Sequence, residues 1–135
     1  MKLFISLMLA VCCLVNFSVN ATPQFIRYFE DIPLMETVNE VESTGFVFST
    51  PDATISEIFL QSGAVDSAEF IAFYFQTLYQ LGYKSTAFSK LNKINKALEN
   101  GESLFAFERD KQILVIKILS NNPLLVKLSL SPDQF

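Results

Sequence analysis

The chain contains no histidine, and its only two cysteines stand side by side as Cys12 and Cys13 in the first apolar segment. Those absences remove a large part of the catalytic repertoire. Without imidazole there is no Ser-His-Asp or Cys-His nucleophile system. With thiols confined to positions 12 and 13, a zinc site lacks its usual ligands. A serine–lysine mechanism calls for Ser-x-x-Lys, which does not occur. The four glycines stand singly at positions 45, 63, 82 and 101, so no Gly-rich phosphate loop is present. Carboxylates remain, and Glu30, Asp31, Glu57, Glu108 and Asp110 are the candidate acids and bases. Glu108 and Asp110 flank a hairpin loop where charge is ordinary, however, and Glu57 falls in a strand of alternating polarity. The expectation is a protein that is not an enzyme and carries no cofactor.

Residues 1–21 have the form of a secretory signal. Lys2 supplies the positive start, an apolar run follows, and Val19-Asn20-Ala21 places small residues where signal peptidase cuts. Two other readings compete. The run from Leu3 to Val19 sits at the lower limit of a membrane span, and Leu9-Ala10-Val11-Cys12 loosely resembles a lipobox. Cleaved export to the periplasm is the expected course. Cleavage after Ala21 leaves 114 of the 135 residues, enough for one domain. That remainder has no cysteine and so no disulfide, and its stability must come from an apolar core supplied by twelve of the fourteen phenylalanines. Loss of Lys2 takes the net charge from −4 to −5. A mildly acidic domain has no electrostatic reason to bind nucleic acid or anionic lipid, so the membrane is met only through the signal peptide before cleavage.

The stretch from Val65 to Tyr83 organises the rest. Asp66 is a good N-cap, Glu69 completes a capping box, Val65 and Phe70 occupy the positions of a hydrophobic staple, and Gly82 is a natural stop. On the helical wheel the apolar residues cover roughly two-thirds of the circumference, more than packing on one surface requires. Phe73 forms one flank of that arc, and Phe75 with Tyr79 forms the other.

Residues 22–43 carry Phe25, Ile26, Tyr28, Phe29, Ile32, Leu34 and Met35, too many apolar groups for a solvated linker. They are expected to form an irregular apolar arm packed on the domain, with Pro33 holding Ile32 extended. Ile32, Leu34 and Met35 facing Phe75 and Tyr79 would line a candidate groove between arm and helix.

Residues 44–135 then read as a single α+β domain. Gly45–Thr50 and Ala53–Gly63 form a hairpin around Pro51-Asp52, and Tyr83–Lys90 is a third strand. Leu91, Ile94 and Leu98 recur at helical spacing in a short insertion whose Lys90, Lys93 and Lys96 read as a solvated face. Three further strands close the chain around Arg109-Asp110-Lys111 and Asn121-Asn122-Pro123. The expected fold is an antiparallel sheet with one main helix packed across it, in the order β-β-α-β-β-β-β. Alternation places Phe105 and Phe107, then Leu114, Ile116 and Ile118, then Leu124, Val126, Leu128 and Leu130 on the helix side. Ile113, Val115 and Leu119 among Lys117 and Lys127 make the opposite face the candidate partner surface.

Several strings can now be taken together. Phe29-Glu30-Asp31-Ile32-Pro33-Leu34-Met35 precedes Phe46-Val47-Phe48, Thr50-Pro51, Phe73-Tyr74, Thr77-Leu78, Gln80-Leu81-Gly82-Tyr83, and a late run from Leu104 through phenylalanine to Arg109. In this order they resemble a family of small exported proteins of Gram-negative bacteria with no assigned activity, over about residues 29–132. The family has an Asp-Ile-Pro-Leu-Met arm and a helix ending in Leu-Gly-Trp or Leu-Gly-Tyr. Where that family usually has Pro-Gly after the methionine, this chain has Glu36-Thr37. The resemblance implies an exported compartment and this fold, and it supplies no catalytic residues. More loosely, the layout is similar to helix-grip modules of envelope-assembly lipoproteins, which bind proteins.

The functional expectation is a non-catalytic periplasmic binding or scaffolding domain that contacts another envelope protein, or a second copy in a homodimer, through apolar surface. The alternative is a small-molecule or lipid binder using the arm–helix groove, and the third reading is a carboxylate-based enzyme of the envelope. Intact-mass measurement of protein from its native host checks the export reading. The expected mass is that of a chain beginning at Thr22. A full-length mass in the membrane fraction, or a lipid adduct on Cys12 or Cys13, would overturn it.

Overall fold

The computed structural model describes residues 22–86 and 102–133. The leader, the 91–98 insertion and positions 87–90 of the third expected strand lie outside the described residues. The helix α1 spans Ser67–Gln80, and both its ends are closed as the sequence requires. The Asp66 carboxylate accepts from the Glu69 N–H at 2.8 Å. At the other end Gly82 takes φ +87°, a left-handed conformation in which glycine has no Cβ penalty. Gly82 N–H then donates to the Tyr79 carbonyl and Tyr83 N–H to the Leu78 carbonyl. Those paired bonds are a Schellman closure. Residues Phe70, Tyr74 and Leu78, one turn apart, are wholly buried.

The strands are β1 (Asn39–Glu40), β2 (Phe46–Ser49), β3 (Thr54–Ser62), β4 (Lys84–Ser85), β5 (Ser103–Arg109), β6 (Gln112–Asn121) and β7 (Leu124–Pro132). They form one antiparallel sheet in the order β1-β3-β7-β6-β5-β4, with β2 also paired to β3. The β2–β3 turn closes where expected, with Thr50 and Ala53 exchanging backbone hydrogen bonds around Pro51-Asp52. Asp110 and Lys111 both take positive φ in the two-residue β5–β6 loop, the sense of turn that matches strand twist. The fold is therefore α+β, with one helix among the described residues packed against an antiparallel sheet. The extra strand β1 belongs to the arm.

Strand alternation puts the anticipated residues in the core. Leu114, Ile116, Ile118, Leu124, Val126, Leu128, Leu130 and Phe107 are buried on the helix side, and Phe105 packs against them half-buried. On β3 the same face carries Ile58 and Leu60. The helix runs in the same sense as β5: Asn121, at the end of β6 remote from the β5–β6 loop, accepts from the Ser67 N–H at 2.7 Å, while Arg109 at the end of β5 donates to the Leu81 carbonyl at 2.9 Å.

The arm is more ordered than the sequence suggested. Residues 24–34 fold back as a tight loop in which Leu34 N–H donates to the Gln24 carbonyl and Ile26 N–H to the Ile32 carbonyl. Ile26, Phe29 and Ile32, three residues apart, point inward and are at most 2% exposed, and Val38 follows at 4%. Leu34 and Met35, expected to be mostly buried, are half-buried against the same cluster. The arm docks on α1 through one phenol. Tyr74 O–H donates to the Pro33 carbonyl at 2.9 Å and its oxygen accepts from the Met35 N–H at 3.2 Å.

Two predictions follow from this packing. Ile32→Ala removes a side chain 1% exposed and is expected to cost about 2–5 kcal/mol, read as a fall of many degrees in the melting temperature. A variant melting within a degree or two of wild type would show that the arm is not part of the fold. The second concerns alkaline pH. Burial raises the pKa of Tyr74 well above that of a free phenol, and burial also raises that of Tyr83, although the charge of Arg109 opposes it there. Both phenols must stay protonated in the folded chain. Their contribution is present below the unfolded-state value of about 10 and is lost as pH rises beyond it. Chemical denaturation from pH 8 to 11 should show stability falling above about pH 10, and Tyr74→Phe should shallow that fall.

Candidate functional site

The sequence pointed to two surfaces, and the structure treats them differently. On the outer sheet face Val115 and Leu119 are half-buried, but Ile113 is only 2% exposed. Its neighbour Ala106 on that face is buried too, so this part of the outer face is covered rather than open. Alternation assigns the face correctly and says nothing of what lies over it. The two lysines are engaged as well. Lys117 and Lys127 are directly opposite on β6 and β7, a repulsive placement that each relieves with its own carboxylate. Lys117 meets Glu102 at 2.8 Å and Lys127 meets Glu57 at 2.8 Å. Ile113 therefore drops out of an accessible contact surface, and the remaining residues form a row of half-buried chains and closed ion pairs.

The candidate groove is divided. The arm lies on the Phe73–Tyr74 side of α1, held by the Tyr74 hydroxyl, and there Ile32, Leu34 and Met35 pack. Phe75 turns toward the sheet, with its ring edge-on to Phe105 at 5.7 Å and Phe107 at 4.9 Å between centroids. Tyr79 stands 79% exposed on that flank. The five residues do not line one groove.

A cavity of about 620 Å³ lies instead between the arm and the end of the sheet. Phe25 to Ile32 form one wall, and Val47, Ser49, Thr54, Gln112 and Leu130 belong to the other. Arg109 closes one end. Its guanidinium donates to both carboxylate oxygens of Asp31, at 2.6 and 3.2 Å, caps the helix at the Leu81 carbonyl, and lies 4.2 Å over the Tyr83 ring. The Asp31 hydrogen bond raises the arginine pKa further, against the lowering effect of its own burial. With three of its five donors on Asp31 and the Leu81 carbonyl, the fork holds arm, helix and β5 together as a clamp. Of the candidate acids, Asp31 and Asp110 both face Arg109, and Glu57 lies apart from them. Asp31 is tied to Arg109 on the helix side, Glu57 to Lys127 on the outer face. Glu108 lies three strands from Glu57, roughly 14 Å at 4.8 Å per strand.

What sequence reading missed is an edge. Among the described residues β2 pairs only with β3, through Phe46↔Glu57, Val47↔Ser56, Phe48↔Ile55 and Ser49↔Thr54. Phe46, Val47 and Phe48 are 47%, 47% and 61% exposed, three consecutive large apolar residues open on both faces of the sheet. Phe46, Phe48 and their partner-strand neighbour Ile55 share the outer face, while Val47 and Ser49 face the cavity. Gly45 is required beside them, since a Cβ there would lie 2.8 Å from the Tyr28 ring. At the other sheet edge the described strand β4 is two residues long and begins with Lys84. The signal was present in the sequence as Phe-Val-Phe, which leaves neither face of a short strand polar. The strand's position at an edge was not.

Comparison of the chain with protein-family models, with curated proteins and with solved structures finds no match.

Proposed function

We propose that this is a non-catalytic binding domain of the bacterial periplasm that engages another polypeptide at the β2 edge, by addition of a strand. One observation carries the reading: the exposed Phe46-Val47-Phe48 run on a strand with one side unpaired among the described residues. An open edge offers a row of free backbone donors and acceptors, and natural proteins normally blunt such an edge with charge, proline or brevity. Here no residue from Thr44 to Thr50 is charged and none is proline. Strand addition supplies affinity from backbone hydrogen bonds and specificity from alternate side chains. The cavity beside Val47 and Ser49 is placed to receive side chains from an added strand on the inner face. The compartment rests on the signal-like leader and on the resemblance of the motifs.

A second reading, a small-molecule or lipid binder, is favoured by the size of the same cavity, which falls within the range of ligand pockets. Its polar end is occupied by the Asp31–Arg109 pair, which weighs against it. Co-purifying lipid detected by mass spectrometry would support that reading.

The test of the edge uses proline at the one position where it spares the fold. Thr50 and Ala53 form a hydrogen-bonded pair, and such pairs alternate with non-bonded ones along an antiparallel ladder. By the β2–β3 register Phe48 and Phe46 then direct their backbone groups at β3, and Val47 and Ser49 direct theirs outward. Val47→Pro removes an outward N–H without breaking a β2–β3 bond, a substitution edge strands tolerate. The tagged protein is expected to capture from envelope extract whichever chain pairs there, whether another protein or an untagged copy. Val47→Pro should lose that capture while melting within a few degrees of wild type. Capture unchanged by Val47→Pro would overturn the edge as the binding site.

A further inference from the structure

The segment Thr44 to Thr50 reads Thr-Gly-Phe-Val-Phe-Ser-Thr, which is nearly the same in both directions about Val47. Only the small pair Gly45 and Ser49 departs from that symmetry. In an antiparallel pairing of two identical strands about a two-fold axis, a palindrome places each residue opposite its own kind. We infer that the occupant of the β2 edge is a second copy of this chain, joined by antiparallel β2–β2 pairing centred on Val47. This rests on the proposed edge-binding reading and names its partner.

Backbone geometry decides the register. A two-fold axis perpendicular to the sheet pairs one residue with itself, and that residue must point its N–H and C=O outward. Phe46 and Phe48 are excluded because their groups serve β3, whereas Val47 qualifies. With Val47 opposite Val47, Gly45 falls opposite Ser49, and these residues also point outward. The three pairings supply six backbone hydrogen bonds. The closely spaced, non-bonded pairs between them set Phe46 opposite Phe48 twice, which gathers four phenyl rings on the outer face at the axis. The two Val47 side chains meet on the inner face beside the two cavities.

Charge permits the encounter. The chain is net negative, yet the pairing segment carries no charge, and Glu57, opposite Phe46 on β3, is already neutralised by Lys127. Phe46 and Phe48 together leave about one whole ring side chain in water, on the order of 200 Å². That is well below the roughly 800 Å² per partner of a standard interface, so the dimer is a reversible, concentration-dependent one.

Sedimentation equilibrium of the purified protein tests this, with a cysteine scan for the register. The expected result is a mass that rises with concentration from that of the monomer toward that of the dimer. Val47→Pro should remain monomeric throughout. Val47→Cys should form a disulfide between copies under mild oxidation, because hydrogen-bonded pairs stand about 5.5 Å apart at Cα, within disulfide reach. Peptide mass analysis would locate the link at position 47. Tyr79→Cys, although more exposed, should not cross-link. A protein that stays monomeric while Val47→Pro still abolishes capture of another envelope protein would overturn self-pairing and leave the edge reading intact. A dimer that survives Val47→Pro, or links equally well at Tyr79→Cys, would overturn self-pairing through this strand. Indifference of both mass and capture to Val47→Pro would overturn both.

Discussion

The Tyr74 hydroxyl is the contact on which the three layers of this domain depend. Its ring is wholly buried between the helix and the sheet, against Phe70 at 4.6 Å and Phe73 at 5.0 Å between centroids. Its one polar atom satisfies two backbone groups of the arm, Pro33 C=O and Met35 N–H. Without it both would be left unpaired in a part-buried site, at about 1–3 kcal/mol for each. The over-wide apolar arc of α1 is thereby accounted for. The sheet takes Phe70, Tyr74, Leu78 and the ring of Phe75, and the arm takes the Phe73 side. Phe75 stays 40% exposed and Tyr79 79% exposed.

The helix ends are fixed by the sheet itself. Asn121 satisfies the first turn at one end of the strands and Arg109 satisfies the last turn at the other. Because Arg109 also binds Asp31, the same side chain fixes where the arm crosses the sheet end. The arm thus lies on the helix side, where its Tyr28 ring also reaches Gly45 just before β2, while Phe46, Val47 and Phe48 stay exposed. A cysteine-free domain of this size has no covalent staple in the described region, so this packing has to supply its stability. Among the described residues the outer edge of β2 is left open.

How much of this could be read in advance depended on how local each signal was. The caps of α1 were legible, since Asp66, Glu69 and Gly82 act on residues three or four away. The inward faces of β5, β6 and β7 were legible because alternation is a local rule with period two. The arm was expected to be buried from its composition, but Ile26, Phe29 and Val38 anchor it more deeply than Leu34 and Met35 do. Its flank could not be foreseen, because that choice is made by a hydroxyl 41 residues from Pro33. Asp31 and Arg109 are 78 residues apart, and nothing in either neighbourhood announces the other. The edge position of β2 follows from the pairing of β3 with β7, a long-range choice that leaves β2 on the outside. Ile113 makes the same point: its face was legible and its cover was not.

The central claim is that residues 22–38 are a structural layer, locked in place by Tyr74, which leaves the β2 edge as the open apolar surface. Native-state hydrogen exchange tests it most directly. The Met35 N–H, bonded to the Tyr74 oxygen, and the Ile26 N–H, bonded to the Ile32 carbonyl, should exchange only by global unfolding. Their opening free energies should match that of Ile116 in the central strand β6. If Met35 and Ile26 instead open at about 2 kcal/mol or more below Ile116, the arm detaches while the sheet stays folded, and the account is contradicted.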